Sequence, residues 1–328
     1  MISGDDPRAA AAVAVRAGVD GADKTADLRA LPEDADLSRI AEEYTVFGRV
    51  SPRQKRDLIR ALQRNGHVAC MTGDGVNDVL AMKEADCSVA MAGGSSAASS
   101  VSDFVLMSSD FSAMIHVLNE GRRVINNIEK ISALYLVRTI YSVLLSVIYI
   151  FLPYAYPFIP VQMTVVNSLV VGIPTFFLAM RADTRKPEGK FADGVWESSF
   201  PASVTIVFVV LSVQAVQIRF GMSLGDTSTL CVFLIGAVGF AVLFVISRPI
   251  SLWIGWMLAV MTAAYLALFT VAGFVRDIFS LEDLLSLNAH IYLPLLLAGP
   301  CLFFLLRRLM VYFRGRMGLR GRRGAKIV

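Results

Sequence analysis

Asp74 and Asp78 stand one helical turn apart in the run Thr72-Gly73-Asp74-Gly75-Val76-Asn77-Asp78. At that spacing two carboxylates can face one point. A hard divalent cation such as Mg²⁺ commonly takes one or two carboxylates from protein and completes its shell with water and phosphate oxygens. Asn77 adds a carboxamide that can donate to a phosphoryl oxygen, and Gly73 and Gly75 let the backbone turn sharply. Two more stretches carry matching chemistry. In Met1-Ile2-Ser3-Gly4-Asp5-Asp6-Pro7, Ser3 offers a hydroxyl and a backbone N–H to a phosphoryl group, and Asp5 a carboxylate to a nucleotide. Taken alone, the same residues serve equally as an ordinary helix N-cap. In Arg49-Val50-Ser51-Pro52-Arg53-Gln54-Lys55, the ammonium of Lys55 falls in the first turn of a helix. There it can neutralise charge gathering on a transferring phosphoryl group, although a lysine at a helix start is otherwise a solvated charge.

The elements that must hold these residues can be read from pattern. An Ala-rich helix is expected over 8–17, stopped by Gly18, and an acidic surface connection over 20–37. Val46–Val50 reads as a short strand, and Pro52 opens a helix over 52–64 that Asn65-Gly66 ends. His67–Met71 reads as a strand running into the Gly73 turn, followed by a helix over 77–85. Ser88–Met91 and Val101–Leu106 read as further strands. Strands alternating with helices predict a parallel sheet with its functional groups at the strands' carboxyl ends.

Beyond residue 130 the character changes. Of 328 residues, 55% are apolar and 18% charged, greasier than a water-soluble chain of this size. The excess lies in six runs near 132–152, 158–180, 201–218, 229–246, 253–273 and 290–306, most of them long enough to cross a bilayer core of about 30 Å. Basic residues concentrate in the 181–199 loop, at Arg248 and in the tail, whereas the alternate loops at 153–157, 219–228 and 274–288 carry no such excess. The positive-inside rule then places the soluble part, the 181–199 loop and the C-terminus together in the cytoplasm. The formal charge of +4 reads as a tail beside anionic lipid and not as nucleic-acid binding. Four cysteines at unrelated spacings suggest neither a disulfide framework nor zinc. No signal peptide is evident in the polar, small-residue-rich first residues.

Together the motifs resemble the haloacid-dehalogenase-like phosphorylation domain of cation-transporting P-type ATPases. The resemblance continues through Ala81–Asp86, Val89–Met91 and Ala97-Ala98 to Ile125-Asn126-Asn127-Ile128, and so covers nearly the whole chain. It implies a partial α/β, Rossmann-like domain over 1–125, six transmembrane helices over 126–310 and a basic tail over 311–328. The helices would match the fifth to tenth of such pumps; heavy-metal pumps have only two after the phosphorylation domain. It makes Ser3, Lys55 and Asn77 catalytic, Asp5 and Arg49 nucleotide-binding, and Asp74 and Asp78 the Mg²⁺ pair, with ATP as substrate of the complete enzyme. Asn167 and the Gly172-Ile173-Pro174 step resemble the point where the sixth helix opens its backbone for a cation. Thr139, Ser142, Asn167 and Ser168 are the candidate ion pathway. The implied partners are membrane lipid, the transported cation and an N-terminal half of the pump, in a bacterial cell membrane.

The pattern also departs from that family. Its phosphorylated aspartate sits in an Asp-Lys-Thr-Gly-Thr string, and the nearest run here, Asp23-Lys24-Thr25-Ala26-Asp27, lacks the Gly-Thr and follows the Ser3 motif. The chain by itself is therefore expected to be inactive, with the central strand of its sheet missing. Ser142 and Val171 stand where calcium pumps carry acidic residues, and Thr139 where they carry an Asn. Arg138 places a charge inside an apolar run, a functional candidate in its own right. Two competing readings remain: a membrane-tethered phosphatase, which needs an Asp-x-Asp nucleophile before the Ser3 motif, and a non-catalytic partner lending its helices to another subunit.

Overall fold

The computed structural model describes residues 1–316 apart from 33–34, 109, 188, 271–272 and 284–288. The part of the expected 311–328 tail from 317 onward, and the end of the 274–288 loop, lie outside the described residues. The chain divides into two compact units, one ending at Val117 and one beginning at Leu118.

In the first unit, α1 (Pro7–Arg16) starts with Pro7 at a position whose N–H would be unpaired anyway. Asp6 caps it, accepting from the Arg8 N–H at 2.9 Å, and Gly18 leaves it at φ +72°. β1 (Thr25–Asp27), α2 (Leu37–Glu43) and β2 (Val46–Gly48) follow. α3 (Pro52–Arg64) opens with a reciprocal cap in which Ser51 accepts from the Gln54 N–H and Gln54 accepts from the Ser51 N–H. Then come β3 (Cys70–Gly73), a 3₁₀ turn (Val76–Asp78), α4 (Val79–Glu84), β4 (Cys87–Met91), α5 (Ser96–Val101) and β5 (Phe104–Leu106).

All strand pairs are parallel, as expected, but they fall into two sheets among the described residues, β1–β2 and β3–β4–β5. Ile2 bridges Phe47 on the free side of β2, with the Phe47 N–H donating to Met1 and the Ser3 N–H donating to Phe47. α3 serves both halves. Its Leu58 packs with Ala26, Leu28 and Phe47, while Ile59 packs with Met71, Met82 and Ala90.

Several local expectations shift, among them the Val101–Leu106 strand, which begins only at Phe104 because Val101 ends α5, and the Val46–Val50 strand, which stops at Gly48. The 20–37 connection contains β1, because Ala26 and Leu28 are buried and pair beside β2; three residues are too few to show a period. The strand expected from His67 begins at Cys70, because the His67 N–H is held by the Leu62 carbonyl at the end of α3. The helix expected over 77–85 starts as the 3₁₀ turn, which re-aims Asp78.

The second unit contains most of α6 (Ala113–Phe151), then α7 (Pro160–Val166), a π-helical turn (Asn167–Gly172) and α8 (Ile173–Ala179). It continues with α9 (Phe191–Phe220), α10 (Leu224–Ile246), α11 (Leu252–Thr270), α12 (Gly273–Phe279) and α13 (Ala289–Arg316). Among the described residues, six segments are long and apolar enough to cross a membrane: 113–151, 160–179, 191–220, 224–246, 252–270 and 292–314. The protein is thus a multi-pass membrane protein. α6 and α9 begin well before the apolar runs that announced them, because helical backbone continues through their polar first turns. α10 is the most enclosed, buried from Thr227 through Gly236.

The turn after α8 is tied to α6 by polar side chains. Asn127 donates to the carbonyls of Ala179 (3.1 Å) and Arg181 (2.8 Å), and Asn126 to those of Asp183 and Arg185. The buried Asp183 carboxylate receives Lys130 at 2.6 Å and Arg185 at 2.7 Å. Arg181 reaches the carbonyls of Ser247 and Pro249 between α10 and α11.

Candidate functional site

The Gly73 turn leaves β3 at its carboxyl end and delivers Asp78 to Lys55, which α3 projects from its first turn. Lys55 Nζ and Asp78 Oδ1 are 2.6 Å apart, with side chains only 11% and 12% exposed. Two motifs separated in sequence by a strand and most of a helix are therefore joined by one largely desolvated ion pair. Gly73 makes the approach possible. A Cβ there would stand 2.6 Å from Asp78 Cβ and 2.9 Å from its Oδ2, so only glycine leaves room. The loop after β4 fixes the other half of the turn. The Ser95 N–H donates to the Asp74 carbonyl at 2.7 Å, and a Cβ on Gly94 would fall 2.5 Å from that oxygen. Asp74 and Asn77 remain exposed.

This donor set fits Mg²⁺ in a particular way. Lys55 takes one oxygen of Asp78, leaving the other, with the Asp74 carboxylate, as hard ligands on a single turn. Among the described residues no group of three or more His, Cys, Asp or Glu could hold a metal alone. A cation here must draw the rest of its shell from water and phosphate, as Mg²⁺ does.

The Ser3 turn lies on the free side of β2. Its N–H is taken by the Phe47 carbonyl at 2.9 Å and is not available to a phosphoryl group, contrary to the sequence-based expectation. Its hydroxyl donates to Asp5 Oδ2 and accepts from the Asp5 N–H, both at 3.1 Å. Arg49 has left-handed backbone, φ +52°, and its guanidinium forks between Asp6 at 2.6 Å and Asp27 at 2.9 Å. It borders an open groove of about 800 Å³ whose walls include Gly4, Asp6, Arg29, Ser51 and Gln54. Lys55 and Asp78 are not on that wall. The structure thus joins the Lys55 and Asp74–Asp78 motifs directly and sets Arg49 in a groove of its own. Sequence reasoning missed Asp6 and Asp27 as its partners. Asp6 had a signal as the cap before Pro7; Asp27, on a three-residue strand, had none.

In the second unit, Asn167 opens the π-helical turn, so the backbone widens there rather than unwinding. Such turns recur at functional sites. A cavity of about 20 Å³, room for roughly one water, is bordered by Arg138, Tyr141, Asn167, Val171 and Gly239. Of the four candidate ion-pathway residues, Asn167 alone borders it. Ser142 and Ser168 stand outside its lining, as does Thr139, whose hydroxyl back-bonds to the Tyr135 carbonyl at 3.2 Å. Tyr141 and Gly239 carried no sequence signal as cavity residues.

Residues 1–86 match the family described as haloacid dehalogenase-like hydrolase. Similar proteins include the calcium-transporting ATPase CtpE of Mycolicibacterium smegmatis, 37% identical over 318 residues, which is 92% of this chain and 40% of that protein. Its namesake from Mycobacterium bovis is 40% identical over 284 residues, 81% of this chain and 35% of that protein. The calcium-transporting ATPase of Bacillus subtilis is 33% identical over 204 residues, 58% of this chain and 21% of that protein. The chain spans between about a fifth and two fifths of the length of these relatives.

Proposed function

Because the chain belongs to the cation-transporting P-type ATPases, we propose that it contributes the Mg²⁺-binding turn and six membrane helices to an ATP-driven cation pump. The observation that carries this reading is the Lys55–Asp78 pair, formed at a strand's carboxyl end by two motifs far apart in sequence. In that pump Asp74 and the free oxygen of Asp78 hold Mg²⁺, which supplies charge neutralisation for a phosphoryl group on an aspartate. Lys55 orients Asp78 and places a fixed positive charge beside the same group. Asn77 and the Ser3 hydroxyl donate to phosphoryl oxygens, and Asp5 and Arg49 contact the nucleotide. No Asp-Lys-Thr-Gly-Thr string is present in the 328 residues, so by themselves they do not hydrolyse ATP.

The soluble part, the 181–199 loop and the C-terminus face the cytoplasm of a bacterial cell membrane. The cation passes between α6 and the Asn167 turn, where Asn167 borders the cavity; Thr139, Ser142 and Ser168, outside that lining, are the remaining candidates for the pathway. Relatives named as calcium-transporting make Ca²⁺ the first cation to assay, against Mg²⁺ and alkali ions.

The test is ATP-dependent isotope uptake into membrane vesicles carrying the complete pump, with Asp74→Asn and Asp78→Asn beside the parent. Uptake and acid-stable labelling from ATP are expected in the parent and lost in both variants. Undiminished labelling in the Asp78→Asn protein would overturn the Mg²⁺ assignment. Label on the 328-residue chain alone would overturn its inactivity.

A further inference from the structure

The Arg49 arrangement asks for more explanation than a nucleotide contact by itself requires. Arg49 is one of two non-glycine residues with positive φ among the described residues, a conformation that L-residues enter only when their surroundings impose it. Those surroundings are specific. The Arg49 N–H is bound by the Asp5 carbonyl at 2.7 Å. The preceding Gly48 lies so close to Pro7 that a Cβ would stand 2.5 Å from the Pro7 nitrogen. Asp27 faces Gly48 in the β1–β2 register, which brings its carboxylate to Arg49 Nη1, while Asp6, anchored as the cap of α1, meets Nη2.

Stability does not account for this design. Both pairs are solvent-exposed, with Arg49 and Asp6 each 45% exposed and Asp27 27%. Exposed ion pairs of that kind contribute little to folding. What two carboxylates from different elements do provide is direction. They fix both ends of a planar guanidinium and use two of its five N–H donors, leaving three for another anion at the groove.

We propose that Asp6 and Asp27 are positioning residues that hold the Arg49 guanidinium at the rim of the groove, ready for the phosphates of ATP. The proposal rests on the reading of Arg49 as a nucleotide contact. In this role each carboxylate acts through the arginine.

The experiment measures the ATP dependence of hydrolysis by the complete pump in membranes. It compares the parent with Arg49→Ala, Asp6→Asn, Asp27→Asn, the double Asp6→Asn/Asp27→Asn and the conservative Asp27→Glu. Each single Asn variant is expected to raise the apparent KM for ATP about 5-fold, and the double variant more, with kcat held within about 2-fold. Asp27→Glu should recover most of the lost affinity. A fold defect would instead lower kcat and would not be rescued by Glu. An unchanged or lowered KM in the double variant, alongside a raised KM in Arg49→Ala, would overturn the positioning role while sparing the nucleotide reading. An unchanged KM in Arg49→Ala would overturn the nucleotide reading, and the positioning role with it.

Discussion

Lys55→Met and Asp78→Asn, made singly and together, test whether the ion pair organises the site or merely decorates it. The charged atoms are 2.6 Å apart and both side chains are nearly nine-tenths buried. At an effective dielectric near 20, charges at that separation attract by roughly 6 kcal/mol. Desolvation of the two ions offsets several kcal/mol of this, leaving a net stabilisation of about 2 kcal/mol. Removing one partner is the worse perturbation, because it leaves the other charge buried and alone, at a cost of about 3–5 kcal/mol. The double variant removes both charges together and should be destabilised by only about 2 kcal/mol, well below the roughly 6–10 kcal/mol sum of the singles. Hydrogen exchange of the α3 and β3 amides in the intact protein reads this locally, as the free energy of opening of the segments the pair joins. Single variants that add within about 0.5 kcal/mol would show two independent side chains and refute the reasoning.

Gly73→Ala forces a methyl to within 2.6 Å of Asp78 Cβ, so it should cost about 1–3 kcal/mol and displace the carboxylate. Faster exchange over the 70–84 segment, together with loss of labelling from ATP in the complete pump, would register it. Asp183 gives a pH signature: hydrogen bonds from Arg185 and Lys130 hold its carboxyl well below the usual carboxylate range. A depressed folded value means its contribution is present above the unfolded pKa of about 3.9 and is lost as pH falls from there through the folded value. Acid-induced melting of the detergent-solubilised protein should therefore lose part of its pH dependence in Asp183→Asn; identical acid profiles would count against a stabilising role for the Lys130 and Arg185 pairs. Gly236→Ala drives a methyl into the Tyr265 hydroxyl, which donates to the Val232 carbonyl at 2.8 Å. It should lower the thermal midpoint by destabilising the α10–α11 contact about 1–3 kcal/mol.

Much of this protein is written locally. The Ser51–Gln54 cap with Pro52 defines α3, the Asp6–Pro7 step opens α1, and apolar runs announce six membrane segments because lipid leaves the backbone no alternative to helix. The motif strings nominated Lys55, Asp74 and Asp78, since Mg²⁺ and phosphate chemistry restrict which side chains can serve. Other features required the folded chain. Thr25–Asp27 looked like an acidic connection, and only pairing with Val46–Gly48 made it a strand. That register in turn carried Asp27 to Arg49. The separation of the strands into two sheets and the loss of the Ser3 N–H to Phe47 are likewise long-range outcomes with no local period to betray them. Residue types and spacing alone determined which chemistry the Asp74–Asp78 turn can support, because ligand hardness and charge belong to single side chains. Tertiary structure decided which charges meet: α3 brought Lys55 to Asp78, and parallel pairing brought Asp27 to Arg49, because contacts between distant segments depend on packing that no short stretch of sequence contains.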